Sequence, residues 1–233
     1  MSASSRNMHR PTRIMRCWLQ VCLFWIALSL ALPVLAAPQS ILVFGDSLSA
    51  AHGMPQSKGW VALMQKRLAE RDADINVVNA SVSGETSGGG RKRFDAALAR
   101  SRADVVILEL GGNDGLQVLD LKQMRTNLAA MIQTARDAGA RVLLLGMRIP
   151  PNYGAEYAKR FHAVFEHLAE QYDTAYDPFF LEPIADDRAN FQSDGIHPTA
   201  AVQPVLAKRV LKDVQPLLER KRQEAINQPS VAE

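Results

Sequence analysis

Short apolar runs alternate along this chain with longer stretches in which apolar residues recur every three or four positions. The runs are Ile41-Leu42-Val43-Phe44, then Ile75-Asn76-Val77-Val78-Asn79, residues 105–110, residues 142–145 and Thr174-Ala175-Tyr176. Turn-forming residues bound the first of them, and each run reads as a strand. Between them, Trp60, Val61, Leu63, Met64 and Leu68 predict a helix near 59–71, and Phe94, Ala97 and Leu98 a helix to about Arg100. Leu121, Met124, Leu128, Met131, Ile132 and Ala135 keep helical spacing up to Gly139, a C-cap candidate. Tyr157, Phe161, Val164, Phe165 and Leu168 form the apolar stripe of a long helix. A closing helix is expected from about 200 to 218, with Pro204 near its first turn. Residues 81–90 read as loop, and 178–196 as irregular chain.

Strands alternating with helices mean βαβ units, hence an α/β protein with a parallel sheet and helices on both faces. Such strands are buried on both sides, which agrees with their apolar runs. Every strand-to-helix loop emerges on one edge of the sheet, where ligands bind in this class of fold. The first such loop is Gly45-Asp46-Ser47. It lifts a hydroxyl off the end of a strand, although a serine there also serves as a helix cap.

Composition changes the picture at the N-terminus. Arg6, Arg10, Arg13 and Arg16 precede an apolar stretch from Trp18 to Leu35, and Val34-Leu35-Ala36 follows the pattern of a cleavage site. Residues 1–36 therefore read as a secretory signal peptide cut after Ala36, with an uncleaved signal anchor as the alternative. Without those four arginines, 23 Lys and Arg face 24 Asp and Glu, a net charge of −1. The basic balance of the whole chain is thus mostly leader, and no nucleic-acid partner is expected. Both cysteines, Cys17 and Cys22, also lie in the leader, so the remainder has no thiol or disulfide. Residues 37–219 read as one domain, and 220–233 as a polar tail expected to fray.

Four loops on the binding edge carry unusual polar residues: Ser47, Gly84, Asn113 and Asp194-Gly195-Ile196-His197. A serine nucleophile needs a base and a group that orients the base. His197 lies three residues after Asp194, and one compact turn places the carboxylate against Nδ1–H with Nε2 free to face a hydroxyl. The Ser47 and Gly84 N–H groups and the Asn113 amide are candidate donors to an oxyanion. His162 and His167 fall within a helix and read as packed or solvated; His52 is either structural or part of the pocket wall.

Gly45-Asp46-Ser47-Leu48-Ser49, Gly84, Gly111-Gly112-Asn113-Asp114 and Asp194-Gly195-Ile196-His197-Pro198, in this order, resemble the SGNH (GDSL) hydrolases. Residues 79–87, 109–115 and 148–154 are similar to the periplasmic multifunctional acyl-CoA thioesterase, lysophospholipase and arylesterase branch. The resemblance spans about 40–218. It implies a flavodoxin-like three-layer α/β/α sandwich around a parallel sheet of about five strands. It implies a serine esterase with Ser47 as nucleophile, His197 as base and Asp194 as its orienter, and Ser47, Gly84 and Asn113 as the oxyanion hole. It implies substrate contacts at Asp46, Leu48, Asp114, Ile149, Pro150, Tyr153 and Ile196, with the 147–154 loop moving over the acyl site. No cofactor and no metal are implied. The expected partner is a small acyl ester or thioester, with transient lipid contact left open, and the expected protein is an exported monomer, periplasmic or secreted. Ala50-Ala51-His52-Gly53-Met54 departs from the nearest relatives, in which Gly and Tyr are expected in this stretch, so acyl-length preference does not carry over.

A carbohydrate O-acetyl esterase is the alternative within the same chemistry. A phosphate- or flavin-binding protein is the alternative outside it, from the Ser- and Gly-rich 81–90 loop, but it leaves Asp194 and His197 without a task. Glu109 and Arg148, each near the end of a strand, are expected to pair and brace the site loops.

Overall fold

The computed structural model describes residues 38–72 and 74–227. The expected leader lies outside them. Five strands, β1 (Gln39–Gly45), β2 (Ile75–Asn79), β3 (Val105–Glu109), β4 (Arg141–Leu145) and β5 (Ala175–Asp177), form one parallel sheet in the order β2-β1-β3-β4-β5. The helices are α1 (Trp60–Arg71), α2 (Ser87–Ser101), α3 (Gly112–Leu116), α4 (Leu121–Asp137), α5 (Ala155–Tyr172) and α6 (Gln203–Asn227).

The sheet separates two apolar layers, because alternate strand residues point to opposite faces. Leu42, Phe44, Val106, Leu108, Val142 and Leu144 pack with α2, α4 and α5. Ile41, Val43, Val105, Ile107, Leu143 and Leu145 pack with α1 and α6. The topology reverses at β1, which pairs with β2 on one side and β3 on the other. Open sheets of this kind bind ligands at that reversal, beyond the carboxyl ends of the strands.

Two stretches differ from the sequence reading. The glycine-rich 87–90 segment is the first turn of α2 and not loop. Thr86 Oγ1 accepts from Gly89 N–H at 3.2 Å and caps it, while Asp114, from α3, grips Ser87 through its N–H at 2.7 Å and its Oγ at 2.5 Å. The polar stretch from Arg220 continues α6 to Asn227. Its charges are tied down: Arg222 pairs with Asp72, Glu224 with Arg141, and Lys221 Nζ donates to Gly139 O at 2.9 Å. Pro204 sits in the first turn of α6, where its missing N–H is an orphan in any case.

Candidate active site

Ser47, in the turn after β1, and His197, in the loop before α6, stand 150 residues apart in sequence and 2.8 Å apart in space, Oγ to Nε2. On the far side of the ring, Nδ1 lies 2.8 Å from Asp194 Oδ2. The Asp194-Gly195-Ile196-His197 turn makes this pairing local: Asp194 Oδ1 accepts from the N–H groups of Ile196 at 2.8 Å and His197 at 3.0 Å. Partial desolvation works against charge on Asp194. Those two N–H groups and the imidazole outweigh it and hold the carboxyl well below the usual carboxylate range. An ionised Asp194 can only accept, so Nδ1 carries the ring proton and Nε2 is left to accept from the Ser47 hydroxyl. A hydroxyl, an imidazole and a carboxylate in series can move a proton off the serine as it attacks.

Three donors gather above the ends of β1 and β3. Gly84 adopts φ +79°, in the left-handed region, and a side chain there would be strained. Neither its N–H nor that of Ser47 meets an acceptor among the described residues. The Asn113 amide is engaged: Nδ2 donates to Asp46 Oδ2 at 3.1 Å and to Glu85 O at 3.0 Å. Both of its hydrogens are thus held by protein acceptors, and one must leave its partner before it can reach an oxyanion.

Beside the serine opens a groove of about 470 Å³, and Leu48, Leu116, Ile149, Phe179, Leu181 and Phe191 supply much of its apolar wall. Pro150 and Ile196 line it too. Of the residues expected from sequence to contact substrate, Leu48, Ile149, Pro150 and Ile196 line this groove. Asp46 and Asp114 are corrections: both are buried, the first under the nucleophile turn and the second holding Ser87, so neither faces the groove. Tyr153 is a third, since its hydroxyl donates to Leu116 O at 3.1 Å and the ring packs against the core instead of lining the groove. Asp114 and Thr86 already accept from the Ser87 and Gly89 N–H groups at the N-terminus of α2, where a phosphate would need them, which argues against the phosphate-binding alternative.

The expected Glu109–Arg148 pair does not form. Glu109 is fully buried and bound to Ser49 and Asp46, whereas exposed Arg148 lies over the Phe179 ring at 5.1 Å. His52 stacks on His197 with ring centroids 4.2 Å apart. His162 is half-buried with Nδ1 3.2 Å from Met147 O, and His167 is exposed on α5, both away from Ser47. Two residues absent from the sequence reading hold the 190–198 loop. The Arg188 guanidinium donates to the carbonyls of Phe191 at 3.1 Å, Gln192 at 2.7 Å and Ser193 at 2.8 Å. Gln192 Nε2 donates to His52 O at 2.9 Å and Pro198 O at 3.2 Å, lacing the serine loop to the histidine loop. They lie in irregular chain, where no periodicity marks them. Among the described residues no three His, Cys, Asp or Glu side chains gather as metal ligands.

Residues 43–203 match the model of the GDSL-like Lipase/Acylhydrolase family. Esterase TesA of Pseudomonas aeruginosa is 51% identical over 183 residues, 78% of this chain and 91% of that protein. Thioesterase 1/protease 1/lysophospholipase L1 of Escherichia coli (strain K12) is 39% identical over 183 residues, 78% of this chain and 86% of that protein. The crystal structure of TesA superposes with a TM-score of 0.74 at 51% identity, covering 77% of this chain and 99% of that one.

Proposed function

The chain belongs to the GDSL-like lipase/acylhydrolase family, and from that premise we propose that it hydrolyses carboxylic esters and thioesters of acyl groups through an acyl-enzyme on Ser47. The observation that carries this reading is the unbroken series Ser47 Oγ, His197 and Asp194, with 2.8 Å at each step. His197 takes the serine proton as Oγ attacks the acyl carbon, then gives it to the departing alcohol or thiol. The negative oxygen of the tetrahedral intermediate falls to the Ser47 and Gly84 N–H groups, joined by the Asn113 amide when one of its hydrogens turns from Glu85 O to the oxyanion. Water then enters, His197 takes its proton, and the acid leaves. Asp194 orients the ring and stabilises its charged form.

The apolar groove supports acyl chains as substrates, in the thioesterase, lysophospholipase and arylesterase range, because each methylene it buries contributes about 0.8 kcal/mol. The leader pattern supports export and a mature chain that starts at Ala37. The test is hydrolysis of p-nitrophenyl butyrate and octanoyl-CoA by purified wild type and Ser47→Ala. The variant should keep the melting temperature within a few degrees and lose activity by at least about 10³-fold, since the nucleophile is gone. It should also fail to gain the mass of a phosphonyl group from an ethyl phosphonate inhibitor that labels wild type. Turnover by the variant equal to wild type refutes the mechanism. The intact mass of the exported wild type reads the N-terminus in the same experiment, and a mass retaining residues 1–36 refutes cleavage.

A further inference from the structure

A buried acid lies directly beneath the nucleophile turn, outside the path of the proton. Glu109 ends β3, and its register partner on β1 is Gly45. Its side chain is 0% exposed. Oε2 accepts from Ser49 Oγ at 2.6 Å and from Asp46 N–H at 3.2 Å. It presses so close that a Cβ at Gly45 would stand 2.5 Å away. One carboxyl oxygen thus grips the chain on both sides of Ser47.

The grip extends further. Asp46 Oδ1 accepts from Leu48 N–H at 3.1 Å, and Oδ2 accepts from the Asn113 amide at 3.1 Å. A continuous line therefore runs from Glu109 through Asp46 to a donor of the oxyanion site. Glu109 Oε1, by contrast, has no hydrogen-bond partner among the described residues. A charged carboxylate in that place would be an unpaired ion in the core beside a second acid, which costs far more than a neutral one. Burial first, and then the neighbouring Asp46 carboxylate, push the Glu109 carboxyl well above its usual range. Asp46 is pushed up to about 6, chiefly by burial. The titratable groups acting here are Asp46 on Glu109, and Glu109 and His197 on Asp46.

We propose that Glu109 works as a neutral carboxylic acid, a positioning residue that sets the Ser47 turn and, through Asp46, the Asn113 amide, and that loss of its proton at alkaline pH loosens both. This rests on the reading of Ser47 as nucleophile, whose own test is the loss of turnover in Ser47→Ala. The two are separable, because the Glu109 variants are compared with an active wild type.

The experiment measures kcat and KM for p-nitrophenyl butyrate, corrected for spontaneous hydrolysis, from about pH 6 to about pH 10. Melting temperature is recorded at each pH. Glutamine can accept both the Ser49 and Asp46 donors without a charge, so Glu109→Gln should rescue what Glu109→Ala loses. The Ala variant should fall at least about tenfold in kcat with little change in KM, up to the roughly 10²–10³-fold that follows loss of an oxyanion donor. The Gln variant should stay within about threefold of wild type at neutral pH and hold its kcat on the alkaline side, where wild type declines. The sign for stability follows from the raised carboxyl: it favours the fold at low pH, and that contribution is lost as pH climbs above the unfolded value of about 4.3. The melting temperature of Glu109→Gln should therefore gain on wild type as pH rises. If Glu109→Ala does not fold, the Gln profile still decides. A folded Glu109→Gln that loses more than about tenfold in kcat at neutral pH overturns the proposal, since a charge would then be needed. An alkaline limb identical in the Gln variant and wild type overturns it as well.

Discussion

Replacing Asp194 by asparagine isolates the electrostatic part of the series Ser47, His197, Asp194. The amide oxygen can still accept from the Ile196 and His197 N–H groups, now at 2.8 and 3.0 Å, so the turn should keep its shape. The nitrogen end is different. It would face His197 Nδ1, now 2.8 Å from Oδ2, and donate to it. That moves the ring proton to Nε2, which points at Ser47 Oγ, and the base becomes a donor. The charge partner of the imidazolium is lost at the same time. Two unit charges about 4 Å apart interact by about 1 kcal/mol in water and about 4 kcal/mol near a protein surface. With 39% of its side chain exposed, Asp194 falls between these limits. A loss of about 1–4 kcal/mol corresponds to roughly 5- to 10³-fold in rate, and the inverted tautomer places the expected fall in kcat toward the upper end. The assay is steady-state hydrolysis of p-nitrophenyl butyrate with melting temperature as control. A folded variant with kcat within about twofold of wild type refutes the reasoning. Acid sharpens the test. Asp194 has its carboxyl depressed in the fold, so its contribution to stability is present above about pH 4 and is lost as pH falls below it. The melting temperatures of wild type and Asp194→Asn should converge in acid, and a gap that widens there contradicts the assignment.

Arg188→Ala removes three bonds to the loop that carries Asp194. It should lower kcat by about tenfold and the melting temperature by several degrees, read by the same assay and calorimetry, while unchanged values would show that the loop needs no such clamp. Leu181→Trp narrows the groove beside the serine. It should depress kcat/KM for octanoyl esters relative to acetyl esters, by about fourfold for each methylene shut out, and a uniform loss across chain lengths would place the acyl chain elsewhere.

The alternation of apolar runs with helical stripes was enough to find all five strands and their parallel arrangement, because burial on both faces leaves a strong signal in strands such as β3. The union of Ser47 with His197 was legible from ordered motifs. Which partner Glu109 takes was not. That depends on the register that sets Gly45 opposite it, and a one-dimensional reading pointed to Arg148, which instead covers Phe179. The helical start at Ser87 was hidden for a similar reason: glycines read as loop, and the Asp114 carboxylate that holds the turn arrives from 27 residues away. The groove wall from Phe179 to Phe191 lies in irregular chain, where no repeat reveals which side chains turn inward.

The first strand to be made, among the described residues, is an inner strand of the sheet. β1 needs β2 on one flank and β3 on the other, so a chain growing from its N-terminus leaves one edge of Ile41 to Phe44 open until residues 105–109 exist. Nascent fragments that end before β2 expose an apolar ribbon with two open edges, and those that end before β3 one with a single open edge, the kind of surface that chaperones cover and that aggregates when they do not. A deletion that removes Ile41 to Phe44 takes out the stretch of β1 bonded to β2 on one side and to β3 on the other.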